Sequence, residues 1–404
     1  MDRIKNPFSP GAGWPPPAMI GRDEVMENAR ILLGRTLLCR HEKSMMLTGL
    51  RGVGKTVLLN KIERMAMEQG YKTILFEVQE GQSLAQVLAT ALRNILYELN
   101  LLAGAGDKVR RGLMVLRNFI GAVKLSYGDF GIDLEPLPGM ADTGNMEIDL
   151  PELFLAVAEA ARERNTGVAL LVDEVQLLSL NELSALILAM HKLQQKQAPF
   201  VLIGAGLPTL PRLAGEAKSY AERLFSYPII GQLSREEAAR ALSEPVEQEG
   251  AYFEQEALDM IYEHSLGYPY FLQEWGYQVW NQAAGALLTK QDVLAASDLV
   301  IRRLDENFFR VRYDRLTESE KRFMRAMAEL DAGESRCSEI APLLGMKPTA
   351  LTPTRANLIR KGMIYSPRHG VIDYSVPLFG EFLRRVMPQL PPLVNSFIPI
   401  YSKI

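Results

Sequence analysis

The sequence predicts an α/β protein: a parallel sheet flanked by helices, then a small helical lid, then a C-terminal winged helix. Three observations lead there. Short apolar runs suited to buried strands alternate with amphipathic stretches over residues 41–231. A glycine-rich octapeptide joins the first of these strands to a helix. Near the C-terminus, three helical segments precede two strand-like pieces joined by a short turn.

The first strand is Ser44-Met45-Met46-Leu47-Thr48, and the helix at 57–70 ends in Gly70. Between them, Gly49-Leu50-Arg51-Gly52-Val53-Gly54-Lys55-Thr56 fits G-x-x-x-x-G-K-[ST] at every required position. Glycines let such a loop fold back, so that main-chain N–H groups cradle phosphate oxygens. Lys55 would reach the β- and γ-phosphates of ATP, and the Thr56 hydroxyl would bind Mg²⁺. The core is therefore expected to be a P-loop NTPase sheet.

A strand at 73–78 and a helix over 84–101 follow. Residues 102–150 read as a less regular insertion, with a hairpin of 123–127 and 130–134 about Gly128-Asp129. The stretch 135–145 is rich in Pro and Gly and is expected to be mobile. The insertion reads equally as a contact device or as a plain surface excursion.

The next strand, 168–172, carries Asp173-Glu174 at its C-terminal end, where open α/β sheets bind ligands. Asp173 would hold Mg²⁺ through water, and Glu174 would orient or deprotonate the attacking water. A helix over 180–195 and a strand over 200–206 come next, without a polar γ-phosphate sensor at Gly204-Ala205-Gly206. Tyr227-Pro228-Ile229-Ile230 reads as the last strand, just after Arg223. An arginine there can reach a γ-phosphate across a subunit interface; the alternative is a surface arginine paired with Glu222 or another acid.

Ser234-Arg235-Glu236-Glu237 starts a helical lid, with helices at 238–249, 254–265, 269–283 and 290–308. Trp275 and Trp280 read as its core. In 316–388, helices at 316–330, 335–345 and 349–361 precede strands at 363–365 and 371–374, which together make a winged helix. Its third helix would be the recognition helix. Thr349, Thr352, Arg355, Arg360 and Lys361 are the candidate contacts to double-stranded DNA, with Arg368 at the wing tip beside a solvated His369. Residues 311–388 hold thirteen Lys or Arg against nine Asp or Glu, which suits local phosphate contact. Packing on the ATPase core or on a protein partner is the other use of such a module.

These residues together resemble the AAA+ superfamily, in particular the branch of archaeal-type and STAND ATPases related to origin-recognition initiators. Met19-Ile20-Gly21-Arg22-Asp23 is similar to that family's adenine-contacting segment, and Gly267-Tyr268-Pro269 to its Gly-x-Pro motif. The resemblance implies nucleotide contacts from Gly21, Arg22, Gly49, Arg51, Gly52, Val53, Gly54, Lys55, Thr56, Val57 and Pro269. It also implies ATP and Mg²⁺ as ligands, catalytic roles for Lys55, Glu174 and Arg223, and a metal site at Thr56 and Asp173. Two departures stand out: the missing sensor, and no arginine at the lid position where initiators carry a second one. Both favour slow hydrolysis with the nucleotide, ATP or ADP, acting as a switch. A DNA-binding regulator or loader with a structural ATP site, or a scaffold assembled on ATP, are the alternatives.

Bulk properties bound the rest. At 404 residues, two or three domains are expected: an arm at 1–40, the core at 41–231, the lid at 232–310, the winged helix at 311–388 and a tail at 389–404. The chain is 48% apolar and 23% charged, with a net charge of −3, which excludes electrostatic nucleic-acid binding by the protein as a whole. Cys39 and Cys337 form no redox or zinc motif and read as reduced thiols. No run is long enough for a membrane span and no secretion signal is evident, so a cytoplasmic protein is expected, as a homo-oligomer or with a protein partner. Residues 7–17 read as an extended Pro- and Gly-rich arm.

Overall fold

A computed structural model describes residues 1–11, 13–40, 42–101, 106–124, 137–330 and 334–390. Two compact units emerge. One comprises Ser9–Glu244 with Leu266–Tyr270; the other comprises Met1–Phe8, Pro245–Ser265 and Phe271–Ile404.

The first unit runs α1 (Asp23–Leu37), β1 (Ser44–Thr48), α2 (Lys55–Glu68), β2 (Lys72–Glu77), α3 (Leu84–Leu101), α4 (Asp107–Ala122), α5 (Met146–Glu163), β3 (Val168–Asp173), α6 (Leu180–Gln195), β4 (Phe200–Gly206), α7 (Leu210–Ala217), α8 (Ala221–Leu224) and β5 (Phe225–Ser226). Its five strands form one sheet in the order β2-β3-β4-β1-β5, with every pairing parallel. Every residue of β1, β3 and β4 is buried, as a parallel sheet covered on both faces requires. The functional loops therefore leave from one edge, the C-terminal ends of β1 and β3.

Three expectations need correction, and a fourth falls mostly outside the described residues. The last strand is β5, paired with Ser44 and Met45, and 227–230 contributes a single bridge between Ile229 and Thr48. Pro228 has no N–H to give a ladder, although its carbonyl accepts from the Thr48 amide at 2.8 Å. Residues 107–122 are not irregular: α4 buries Val109, Leu113, Leu116, Phe119 and Ile120 in the core of this unit. The expected hairpin lies mostly in 125–136, outside the described residues, while Val123 and Lys124 close α4. The described part of the supposedly mobile stretch is pinned. Asn118 Nδ2 donates to the Leu137 and Met140 carbonyls, and the Asn118 side-chain oxygen accepts from the Leu137 amide at 3.1 Å.

Fully buried Asp149 completes that anchor. It accepts from the Thr143 amide and hydroxyl at 3.2 and 2.8 Å, and from the Gly144 amide at 2.8 Å. Asp149→Ala would remove the acceptor shared by three donors on exposed Thr143 and Gly144, at about 1–3 kcal/mol. A thermal melt should fall by several degrees, and an unchanged melting temperature would contradict this anchoring.

The second unit contains the end of α9 (Arg235–Gln248), β6 (Tyr252–Phe253), α10 (Gln255–Ser265), α11 (Pro269–Gln282) from Phe271 onward, β7 (Leu287–Leu288), α12 (Lys290–Leu304), a π-helical turn (Asp305–Arg310) and α13 (Val311–Tyr313). It continues with α14 (Glu318–Glu329), β8 (Ser335–Arg336), α15 (Cys337–Leu343), α16 (Thr352–Arg360), β9 (Ile364–Tyr365), β10 (Val371–Tyr374) and α17 (Phe379–Val386). Trp275 and Trp280 are core, as expected.

Residues Met1–Phe8 belong to this unit and are anchored in it. Phe8 is buried where Gly276 leaves room for its ring, and the Met1 amino group donates to the Ala283 carbonyl at 2.6 Å. The Trp280 indole donates to the Asp2 carbonyl at 2.8 Å. Phe271, Phe308, Phe309, Phe379 and Phe382 form one ring cluster with centroids 5.3–5.9 Å apart. That cluster crosses the expected domain boundary near residue 310 and, together with the Arg385–Asp305 ion pair at 2.6 Å, ties α17 to the π-helical turn. In the C-terminal module, α14, α15 and α16 accompany an antiparallel sheet in the order β8-β10-β9, whose edge strand β8 falls between α14 and α15 in the chain. No described helix is long and apolar enough to cross a membrane. Both cysteines are free thiols.

Candidate active site

The loop that follows β1 is held from two sides. The Gly49 amide donates to the Gly206 carbonyl at 3.1 Å, and a Cβ on Gly49 would lie 2.2 Å from the Ile230 carbonyl oxygen. Gly52 and Gly54 have φ of 85° and 97°, which side-chain-bearing residues avoid. The chain then enters α2 with Lys55 as its first residue, so the free N–H groups of the helix N-terminus line the loop.

Lys55 is buried, and its ammonium donates to the Gly49 and Leu50 carbonyls at 2.9 and 2.8 Å. Burial pulls its pKa down to about 8, against the opposing pull of Glu174 and Asp173. The cation is thus stored over the loop, next to the space that phosphate oxygens would take. Thr56 Oγ1 donates to Asp173 Oδ2 at 2.5 Å, bringing the two expected metal residues together. Asp173 Oδ1 accepts from the Glu174 amide at 2.8 Å. Burial raises the Asp173 carboxyl, while the Thr56 hydroxyl and the Glu174 amide restrain it. A hydroxyl and a carboxylate side by side are hard oxygen donors, so this set fits Mg²⁺.

Glu174 sits in the left-handed region, φ 53° and ψ 39°, a strained setting for a non-glycine residue. Its carboxylate faces Arg51 Nη2 at 3.6 Å and accepts a hydrogen bond from Gln176 Nε2. Gln176 Oε1 in turn accepts from the Leu207 amide at 3.0 Å. It occupies the space where a Cβ on Gly206 would go, 2.6 Å away. The sensor position at the end of β4 is therefore bare because Gln176 reaches it from β3's side. Sequence reasoning missed Gln176; the signal available was a polar residue two places after the Asp-Glu pair. It also passed over Glu77, which pairs in register with Asp173. Burial raises the Glu77 carboxyl, and the charges of Asp173 and Glu174 add to that.

The remaining expected residues are distributed as follows. Arg22 donates to the carbonyls of Gly231 at 2.6 Å, Gly21 at 3.0 Å and Val53 at 3.3 Å. Burial lowers its pKa, opposed by Glu237. It clamps the Gly21 segment to the loop rather than offering a free guanidinium. Val53 is buried and Val57 half-buried. Pro269 opens α11 within the same compact unit as the loop, and the Gly267 carbonyl accepts from the Leu233 amide at 2.8 Å. Arg223 is exposed on α8, just before β5 pairs with Ser44 at the N-terminal end of β1. Its own chain's loop leaves from the other end of β1, about 16 Å along the strand.

In the C-terminal module, Thr349, Thr352, Arg360 and Arg368 are exposed. Arg368 pairs with Glu334 at 2.5 Å, and Arg360 holds the Asn357 side chain at 3.1 Å. The two other basic candidates are half-buried as well as internally partnered. Lys361 donates to Glu320 at 2.7 Å and to the Arg315 carbonyl at 3.0 Å, and half-buried Arg355 reaches Ser366 Oγ at 3.4 Å.

With this geometry in place, comparison with known proteins adds the following. Residues 38–211 match the AAA domain family. Residues 306–383 match a second family, described as a domain of unknown function (DUF8462). No curated protein matches the chain. Among solved structures, the chain is similar to a Walker-type ATPase of Pyrococcus abyssi, with 15% identity and a TM-score of 0.58 over 91% of this chain and 96% of that one. Cdc6p from Pyrobaculum aerophilum gives 15% identity and a TM-score of 0.46 over 96% and 99%. The Orc1 protein of Aeropyrum pernix in complex with DNA gives 13% and 0.42 over 91% and 93%. The first unit thus has the α/β fold of P-loop NTPases.

Proposed function

We propose that the protein is an ATP-binding, slowly hydrolysing ATPase of the STAND-like AAA+ branch, a nucleotide-dependent switch coupled to a C-terminal winged helix. The observation that carries this is the contact of Thr56 with Asp173, 2.5 Å apart, beside a loop over which Lys55 is folded. Thr56 and Asp173 would hold Mg²⁺, which when bound supplies charge neutralisation to the phosphates. Lys55 exchanges two carbonyls for phosphate oxygens. The loop amides orient the triphosphate, and Glu174 orients the attacking water and takes its proton. Little else is required, because phosphoryl transfer is catalysed mainly by positioning and charge.

Slow turnover has a physical basis in this reading. The end of β4 carries no polar side chain of its own, and exposed Arg223 stands at the end of the sheet away from its own chain's loop. Phosphate release from saturating Mg-ATP should run at or below about 1 s⁻¹, under the enzyme median of about 10 s⁻¹. Bound ATP with no phosphate released over hours would contradict the enzymatic part.

A second reading, DNA contact by the winged helix, is favoured by the exposed Thr349, Thr352 and Arg360 on or beside α16. It expects salt-sensitive retardation of duplex DNA, weakened uniformly across sequences by Arg360→Ala. No retardation at low salt would remove it.

A further inference from the structure

Phosphoryl transfer is fastest when a guanidinium meets the charge that builds on the γ-phosphate. The end of β4 offers no cation in this chain, and Arg223 lies at the opposite edge of the sheet. Arg22 gives its donors to main-chain carbonyls. Arg51 remains, inside the phosphate loop itself. Its charge acts on Lys55, on Glu77 and on Glu174, so it stands among the groups that would surround a γ-phosphate. The contact with Glu174, at 3.6 Å, is an ion pair without hydrogen-bond geometry. Arg51 Nε is buried and makes no hydrogen bond. A buried guanidinium nitrogen without an acceptor is a donor waiting for one.

We infer that Arg51 is the in-chain arginine of this site, and that a γ-phosphate takes it from Glu174. This rests on the ATPase reading above. One exchange then has two effects. Arg51 moves to the phosphate, where its fork offers paired donors to phosphoryl oxygens. Glu174 loses its cation and becomes free to act on water, still aimed by Gln176. Water oxygen bonds to the γ-phosphorus as the bond from that phosphorus to the bridging oxygen breaks. The electron pair leaves with ADP, and the water proton passes to Glu174. ADP lacks the group that draws Arg51 away, so the carboxylate is released by the triphosphate alone.

The test uses the full chain with Arg51→Ala and Arg51→Lys, read by calorimetry with Mg-ADP, with the non-hydrolysable β,γ-imido analogue of ATP and with ADP plus aluminium fluoride. Arg51→Ala should keep ADP affinity within about threefold, which also reports a folded site. It should lose roughly tenfold or more in preference for the triphosphate analogue, and more still for the fluoride complex. Turnover should fall by about 10³-fold, the lower end of what such arginines contribute. Arg51→Lys should restore part of the triphosphate preference and little of the turnover. Unchanged preference in Arg51→Ala, with turnover at or above wild type, would overturn this role and leave the ATPase reading standing. Wild-type protein that binds no nucleotide would overturn both.

Discussion

Lys55→Ala should abolish measurable binding of ATP and ADP while leaving the protein folded. The ammonium is folded directly over the loop, 2.9 and 2.8 Å from two of its carbonyls. Charge-assisted bonds to phosphate contribute about 1.5–3 kcal/mol each, so losing two of them weakens binding by at least a hundredfold. The loop itself should survive. Its shape comes from Gly49 seated against Ile230 and from the left-handed Gly52 and Gly54, none of which needs the lysine. Burial also disfavours the charged form of Lys55, so its removal relieves a desolvation cost. Titration of a fluorescent nucleotide checks the first expectation, and a melt no lower than wild type checks the second. Wild-type affinity in Lys55→Ala would mean that the nucleotide, if any, binds elsewhere.

Glu174→Gln should separate binding from hydrolysis. The amide keeps the size of the side chain but cannot take a proton, and general-base loss costs about 10²–10⁴-fold in rate. Removing the charge also frees Arg51 from its partner 3.6 Å away, so ATP should bind as tightly as in wild type or more so. Single-turnover phosphate release and an equilibrium titration on the same preparation read the two quantities. Hydrolysis at the wild-type rate would assign water activation to another group, and the register places Glu77 beside Asp173 as the first alternative.

The parts that could be read from the sequence are those where local pattern and tertiary role agree. β1, β4, α3 and α6 have the expected bounds, because each is an apolar run or stripe closed by turn or capping residues; Ser179 and Glu182 form a capping box at α6. The phosphate loop was legible for the same reason, its glycines and lysine being required by local geometry. The misses are non-local. In α4, Gly112 weakens the helical signal, yet it is needed where Leu96 of α3 comes within 2.7 Å of a would-be Cβ. The strand β5 was displaced by two residues because Tyr227-Pro228-Ile229-Ile230 is the more apolar run, whereas pairing with Ser44 selects Phe225–Ser226. Gln176 carries no motif; its role appears only once Glu174, Leu207 and Gly206 are brought around it. The inward turn of Lys361 depends on Glu320, 41 residues away, and basic patterning along one helix cannot reveal it.

The most direct test of the central claim is calorimetric titration of the wild-type protein with Mg-ATP. The account expects saturable heat at one site per chain, lost in Lys55→Ala. No heat with Mg-ATP or Mg-GTP, from protein that melts cooperatively, would contradict it.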